Sequence, residues 1–444
     1  MKFLAILKDS LREAIDTKVF YVMVALSLLL ALLAFSFEFK PTPSGQQVMQ
    51  FAIVSMALDM QDFSPDEFER MGHVHVEQKM SRYDLVSSEP LNGAEDGPHS
   101  PFHVLLRIHC ANPAEAAEMR STPSQTAKFI ADHFGVLDTM RMFRVSDVEL
   151  APANAAGVPP QPQPEDVYYQ FVTHPTSVTL RLWPHKFSLF FGAWPWGDSG
   201  IPLGLEMFVI ERYLVNGIGA WVAILVSVII TAFFIPNMLR KGTVDLLLVK
   251  PIHRTTLLMY KFVGGLTFIY LNTTVAVVGV WIALGLRSGV WAYGMLLTVF
   301  VITFFFMILY GVSTLFGVLT RSPIASILLT CGVWFLLFIV GVGFDWFEGR
   351  RKMEEKSQIP AAQRYSDNWL AKTVFAVHFV LPRTSDLDNL TTQLLLQDLL
   401  TNNQVQLAKI NKSPISWGES LTVSGVFIAV MLGLSCWRFA TRDY

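Results

Sequence analysis

Six stretches of this chain carry no charged side chain over lengths that strongly limit what the chain can fold into. They are Val19 to Phe37, the residues between Arg212 and Arg240, between Lys261 and Arg287, between Arg287 and Arg321, between Arg321 and Asp345, and Leu421 to Trp437. Each is about 17 residues or longer, enough for an apolar helix to cross a hydrocarbon core of roughly 30 Å. A buried core helix would account for one such run. Six of them in 444 residues would demand a very large soluble core, so a polytopic membrane protein is predicted.

Charge supports this. Charged residues make up 16% of the chain, against about a quarter in ordinary soluble domains. The net charge of −2 gives no global attraction to nucleic acid. Cys110, Cys331 and Cys436 are far apart and form no CxxC or zinc-like spacing, so no disulfide framework is predicted. The first run is expected to be a retained span. The segment before it contains Asp9, Glu13 and Asp16 rather than a short basic head, and no A-x-A cleavage site follows.

The predicted fold is an all-α polytopic membrane protein with six transmembrane helices and an N-terminal amphipathic helix. An α+β extracytoplasmic domain is inserted between helices 1 and 2. Residues 1–18 have Leu4, Leu7, Leu11 and Ile15 at helical spacing, which suits an interfacial helix or, alternatively, a cytosolic extension of the first span. Helix 1 covers 19–38, the inserted domain 39–205, helices 2–5 residues 206–345 with a loop at 237–261, a second outer segment 346–417, and helix 6 with a short tail 418–444. The basic residues of Met1–Lys18, Arg240–Lys261, the turn at Arg321 and the tail "RFATRDY" put both termini in the cytoplasm, in a cell (inner) membrane. Against this scheme, "GRRK" ending at Lys352 falls on the outside, in a loop running to about Trp417.

Within the inserted domain, "HVHVEQKM" and "FHVLLRIHC" alternate like strands, and "DVYYQFVTHPTSVTLRLW" is β-branched and aromatic. "SQTAKFIADHFGVLDTM" has helical spacing, and "APANAAGVPPQPQPED" is a Pro-rich loop. "FSLFFGAWPWG" suits an interfacial belt. In the second outer segment, "NWLAKTVFAVHFVLP" is short for a span and suits an interfacial or re-entrant helix. "SDLDNLTTQLLLQDLLTNN" is a further amphipathic helix, N-capped by Ser385.

The chain has no phosphate-cradling Gly-rich loop, no G-x-S-x-G and no H-E-x-x-H, so no catalytic residue is assigned. The runs hold no ionisable group for ion coupling; their polar residues are types such as Asn216, Asn272, Thr273, Thr274, Ser313, Thr314 and Ser326. Asn216, Asn272, Thr273, Ser313, Thr314 and Ser326 are candidates to line a pathway; the alternative is hydrogen-bonded glue between helices. His73, His75, His99, His103 and His109, with Cys110, cluster in sequence. Their spacing fixes no ligand set, so solvated or hydrogen-bonded histidines are expected and no metal is assigned.

The segment "NMLRKGTVDLLLVKPIHRTTLLMYK" lies between the second and third runs and is strongly basic. Pro236 ends or kinks the second span. Thr243 can cap a short helix whose first turn holds Asp245, where the helix dipole favours an anion. "DLLLV" supplies an apolar face, Lys250 and Pro251 end the helix, and Arg254 leads into the third span. A short helix with an apolar face and a charged rim is a docking element; the alternative is a loop whose cations only set topology.

"RKGTVDLLLVKPIHRTTLLMYKFVGG" resembles the cytoplasmic loop of ABC type-2 exporter permeases, in which Gly-Thr, an acid, a Leu run and Pro-Ile-x-Arg follow in order. The N-terminal amphipathic helix, the six spans and "HFVLPRTSDLDNL" before the last span fit that family too. The group it looks most like contains the permeases of multi-copper-enzyme (nitrous-oxide reductase) maturation systems; the large insertion after helix 1 departs from its compact members. The resemblance implies a permease that forms the pathway with a second permease copy or related chain, and a separate cytosolic ABC ATPase subunit. ATP and Mg would bind that ATPase, and no cofactor this chain. It also implies that the loop is a coupling helix, with Arg240, Lys241, Asp245, Leu246, Leu247, Leu248, Lys250 and Arg254 at the contact. The competing expectation is a membrane scaffold whose outer domain binds an envelope protein, or signals to it mechanically, without transport.

Overall fold

The computed structural model describes residues 18–42, 44–59, 82–136, 142–196, 200–239, 253–357, 368–383, 391–393, 395–396, 398–400 and 417–441. The first described helix, α1 (Lys18–Phe35), is apolar all round, as expected of a helix with no water-facing side. It runs straight into strand β1 (Glu38–Pro41), and helix α2 (Gly45–Asp59) follows. The amphipathic segment 1–17 and the "HVHVEQKM" strand lie outside the described residues.

The inserted domain is built on an antiparallel sheet of order β2-β3-β5-β4, from Tyr83–Pro90, Phe102–His109, Asp166–Pro175 and Phe143–Leu150. Helices α3 (Pro113–Ser121) and α4 (Pro123–Val136) lie between β3 and β4 in the chain. Val104, Leu106 and Ile108 alternate onto a core with Tyr169, Phe171 and Trp183, and Phe102 stacks on Trp183 at 6.2 Å. Leu105, on the opposite face of β3, is buried as well. The Pro-rich loop covers it: Gly157, at φ +98, comes so close that a Cβ there would lie 3.1 Å from Leu105 Cδ2.

Within the β-branched and aromatic "DVYYQFVTHPTSVTLRLW", the strand stops at Pro175. Thr179–Leu182 forms one helical turn, α5, instead. Thr176 explains the break. Its backbone N–H, which still reaches the strand partner Met142 O at 3.2 Å, also donates to Thr179 Oγ1 at 2.8 Å, and its hydroxyl accepts from the Val178 N–H, so the local turn begins at the last ladder bond.

A second small sheet joins this domain to the helices. Strand β6 (Pro184–Leu189) pairs with β1 and with two short strands, β7 (Trp194–Pro195) and β8 (Ile201–Pro202). From β8 the chain enters α6 (Leu203–Ile210), a π-helical segment (Glu211–Gly219), α7 (Ala220–Thr231) and α8 (Phe234–Met238). The remaining helices are α9 (Arg254–Ser288), α10 (Gly294–Thr320), α11 (Pro323–Lys356), α12 (Trp369–Val380) and α13 (Trp417–Thr441). Among the described residues, five helical stretches are long and apolar enough to cross a membrane: Ala220–Met238, α9, α10, α11 and α13. The apolar stretch of α1, Tyr21–Phe35, is shorter, as is α12.

These helices form one bundle in which α1 packs along α9, and α10 contacts α7, α9, α11 and α13. Tight turns reverse the chain. Gly289 takes φ 73 after α9, and Arg321 takes φ 55 after α10 before Ser322 caps α11. The start of α1 and the α10–α11 turn belong to one end, called the far end below. The end of α1, α6 and the α9–α10 turn belong to the other, the sheet end.

One expectation changes in kind. Arg350 to Lys352 are not in a loop but in the last turns of α11. Lys352 and Arg351 reach Glu348 at 3.3 and 3.9 Å, and Arg351 reaches Glu355 at 3.8 Å. Arg351 and Lys352 are thus paired with acids one helical turn away. In the second outer segment, α12 is N-capped by Asn368 and lies along α11, where Phe344 stacks on His378 at 3.7 Å. Ser385 lies outside the described residues, whereas residues 391–393, 395–396 and 398–400 are largely helical.

Candidate functional site

The loop singled out by the sequence is approached by α8 and left by α9. Pro236 acts upstream of itself. A proline ring clashes with the carbonyl four residues back, here Ala232, and α7 ends at Thr231 before the helix resumes at Phe234. Leu239 then closes against Ile235 O at 3.1 Å. Arg240, Lys241, Asp245, Leu246, Leu247, Leu248 and Lys250 lie outside the described residues, as does Thr243. Arg254 opens α9, preceded by His253 in extended conformation.

Both flanks of the loop are rooted in one apolar knot. Ile235, Met238 and Leu239 from the incoming side meet Leu257 and Leu258 of α9, Val318 of α10 and Phe439 of α13. All seven are buried, with Leu258 and Val318 at 0% exposure. The helices on either side of the loop are therefore close-packed against two more.

The pathway candidates fall in two places. Midway along the bundle, Ser27 Oγ of α1 donates to Asn272 Oδ1 of α9 at 3.3 Å, and Asn272 and Thr273 both line a cavity of about 240 Å³. Nearer the far end, Ser326 donates to Ser313 O at 2.8 Å and the two hydroxyls lie 3.2 Å apart, an α10–α11 link; Thr314 is beside it and fully buried. Asn216 lies in the π-helical segment, and its side chain lies outside the described ones.

Two residues that sequence reasoning passed over stand at the sheet end. Glu206 in α6 and Glu211 at the start of the π segment are buried, at 8% and 1% exposure. Each leaves one carboxyl oxygen without a partner among the described residues. Unpaired buried carboxylates are costly, so their presence marks this end as specialised. The signal was "LEMFVIER", two acids in an apolar stretch, lying just before the uncharged run that defined the span. Nearby, Asp398 accepts from the Gly294 N–H through Oδ2, and its carbonyl accepts from Arg181.

The histidines do not converge. His73 and His75 lie outside the described residues. His103 and His109 sit at opposite ends of β3, about 20 Å apart at strand spacing. His109 Nδ1 is 2.8 Å from Asp166 Oδ1, and Cys110 Sγ is 3.7 Å from Met119 Sδ. Among the described residues no three His, Cys, Asp or Glu side chains are grouped to hold a metal ion.

With this geometry in hand, comparison with known families gives one result. A family model described as "ABC-2 family transporter protein" matches residues 4–444, nearly the whole chain. A search of curated proteins gives no match.

Proposed function

We propose, from the premise that this chain belongs to the ABC-2 transporter family, that it is the exporting half of a two-part machine driven through the loop between α8 and α9. Members of the family are multi-pass membrane permease subunits of ABC transporters and lack an ATPase site of their own. The finer reading is ours. A cytosolic ABC ATPase, holding ATP and Mg, grips residues 240–253. A second permease copy or a related chain completes the pathway. Counting α1 gives six spans with both termini in the cytoplasm of an inner membrane and the sheet domain outside. The likeness to multi-copper-enzyme maturation permeases is part of the same proposal and rests on the loop motif.

What carries the coupling reading is the apolar knot that roots both loop flanks in α9, α10 and α13. A docking helix needs a lever behind it, and a knot shared by four helices turns a push on the loop into a shift of the bundle. The alternative role, a scaffold signalling to an envelope protein, draws on the sheet domain being tied to the ends of α1 and α9. Arg287 Nε donates to Phe37 O at 2.6 Å.

The test is a pull-down of the cognate ATPase together with an ATPase assay in membranes. Leu247→Asp puts a charge into an apolar contact and is expected to abolish assembly. Asp245→Ala removes a helix-start anion worth about 0.3–1 kcal/mol and is expected to leave an assembled complex with lower activity. Full assembly and activity in Leu247→Asp would reduce the loop to a tether.

A further inference from the structure

The cavity at mid-depth of the bundle is a groove between α1 on one side and the π segment with α7 on the other, floored by α9 and closed at the back by Ile302 of α10. It exists because α1 packs along α9 while α7 packs along α10, so the two walls stand apart.

Three independent features distinguish it from a packing gap. Its rim is open, with Leu26 and Leu29 of α1 and Val222 of α7 being 40%, 61% and 44% exposed. These residues lie well within apolar helices, so the groove is continuous with the hydrocarbon interior of a bilayer, where the surrounding solvent is acyl chain. Its wall is almost wholly apolar but for one spot. There Ser27 satisfies the Asn272 carbonyl oxygen, while the Asn272 amide nitrogen and the Thr273 hydroxyl have no partner among the described residues. Lastly, Val215 and Gly219, which line it, come from the π-helical stretch Glu211–Gly219, a rare widened helix frequent at functional sites.

We propose that this groove binds the acyl chain of a membrane lipid, admitted sideways from the bilayer between α1 and α7. The apolar walls take the chain by dispersion contacts and fit of shape. The inference rests on the groove alone and stands whether or not the chain exports or couples through its loop.

The experiment uses the full chain in nanodiscs of phosphatidylcholine doped with phosphatidylcholine whose acyl chain carries a mid-chain diazirine. After irradiation, adducts are mapped by mass spectrometry. Adducts are expected at Met23, Ser27 or Ala276 in the groove, as well as at Leu328 and Phe335 on the exposed face of α11, which report lipid around the protein. Ala223→Phe fills the groove and is expected to abolish the groove adducts while leaving those on α11. Ala276→Leu narrows the groove from the α9 side and serves if the first variant does not accumulate. Asn272→Leu keeps the groove open and is expected to keep its adducts. Labelling of α11 without any in the groove, or groove labelling that survives both filling variants, would overturn the proposal. So would a cross-link between Leu26→Cys on one copy and Val222→Cys on another, which would make a second copy the occupant.

Discussion

At the sheet end of the bundle the helix termini are held by main chain. Phe191 N–H donates to Ser36 O at 2.7 Å just past α1, and Leu203 N–H donates to Trp183 O at 3.1 Å as α6 begins. Arg287 at the end of α9 reaches Phe37 O and lies over the rings of Phe35 and Phe191. At the far end, the knot from Ile235 to Phe439 is made by apolar side chains. Hydrogen bonds are directional, whereas the hydrophobic effect is not. One end is thus fixed by directional main-chain bonds, the other by apolar side chains.

The comparison can be broken most forcefully at the far end. Leu258→Ala opens a cavity at a fully buried position and is expected to cost about 2–5 kcal/mol in thermal or denaturant unfolding. It should also uncouple ATP hydrolysis in the assembled complex more than any change at the sheet end does. Equal coupling loss from sheet-end variants would erase the distinction.

At the sheet end, Arg287→Met keeps side-chain length but removes a charged hydrogen bond, an expected loss of about 1.5–3 kcal/mol. Hydrogen exchange should speed up in β1 and β6 and stay unchanged at Leu257 and Leu258. Gly204→Ala tests the same end by crowding. Its Cβ would run into the Leu399 carbonyl oxygen and lie 3.2 Å from that of Arg181, both backbone atoms that cannot rotate away. An overpacking cost of about 1–3 kcal/mol is expected, with faster proteolysis near residues 391–400 as the readout.

The smallest effect is a pH dependence confined to the sheet domain. His185 of β6 is buried, which lowers its pKa from 6.5; its bond to Trp183 O at 2.7 Å opposes this, and His99 adds to it. The folded chain therefore takes up this proton at lower pH than the unfolded chain does. The stability from neutral His185 is whole above pH 6.5 and is lost as pH falls from there toward the folded value. His185→Asn, which keeps a donor for Trp183 O, should flatten that slope in unfolding followed from pH 7 to 5. An unchanged slope would assign it to another group.

Much of the membrane part was legible because the rule behind it is local. In hydrocarbon every backbone polar group must be satisfied within the helix, so an uncharged run of sufficient length declares itself. The inserted domain was partly legible for the same kind of reason. "FHVLLRIHC" alternates, and "SQTAKFIADHFG" has helical spacing. The turn at Thr179 was not, since it depends on Thr176 bonding Thr179 and Val178 as well as Met142 at the end of the ladder. Arg350 to Lys352, expected in a loop, instead continue α11, where Glu348 and Glu355 lie one turn away in space.

By itself the sequence determined that this chain enters a membrane several times, carries a large insertion after its first apolar run, and presents a basic loop of a known pattern between two spans. Those properties depend on composition and short-range spacing, which tertiary context cannot reverse. Only the tertiary structure decided that Asn272 meets Ser27, 245 positions away, while Ser313 meets Ser326, and that the flanks of the loop share one knot with Val318 and Phe439. It also decided that α1 and α7 stand apart and leave a groove between them. Which faces of apolar helices meet is set by side-chain shape across helices distant in sequence, and apolar runs look nearly alike on every face.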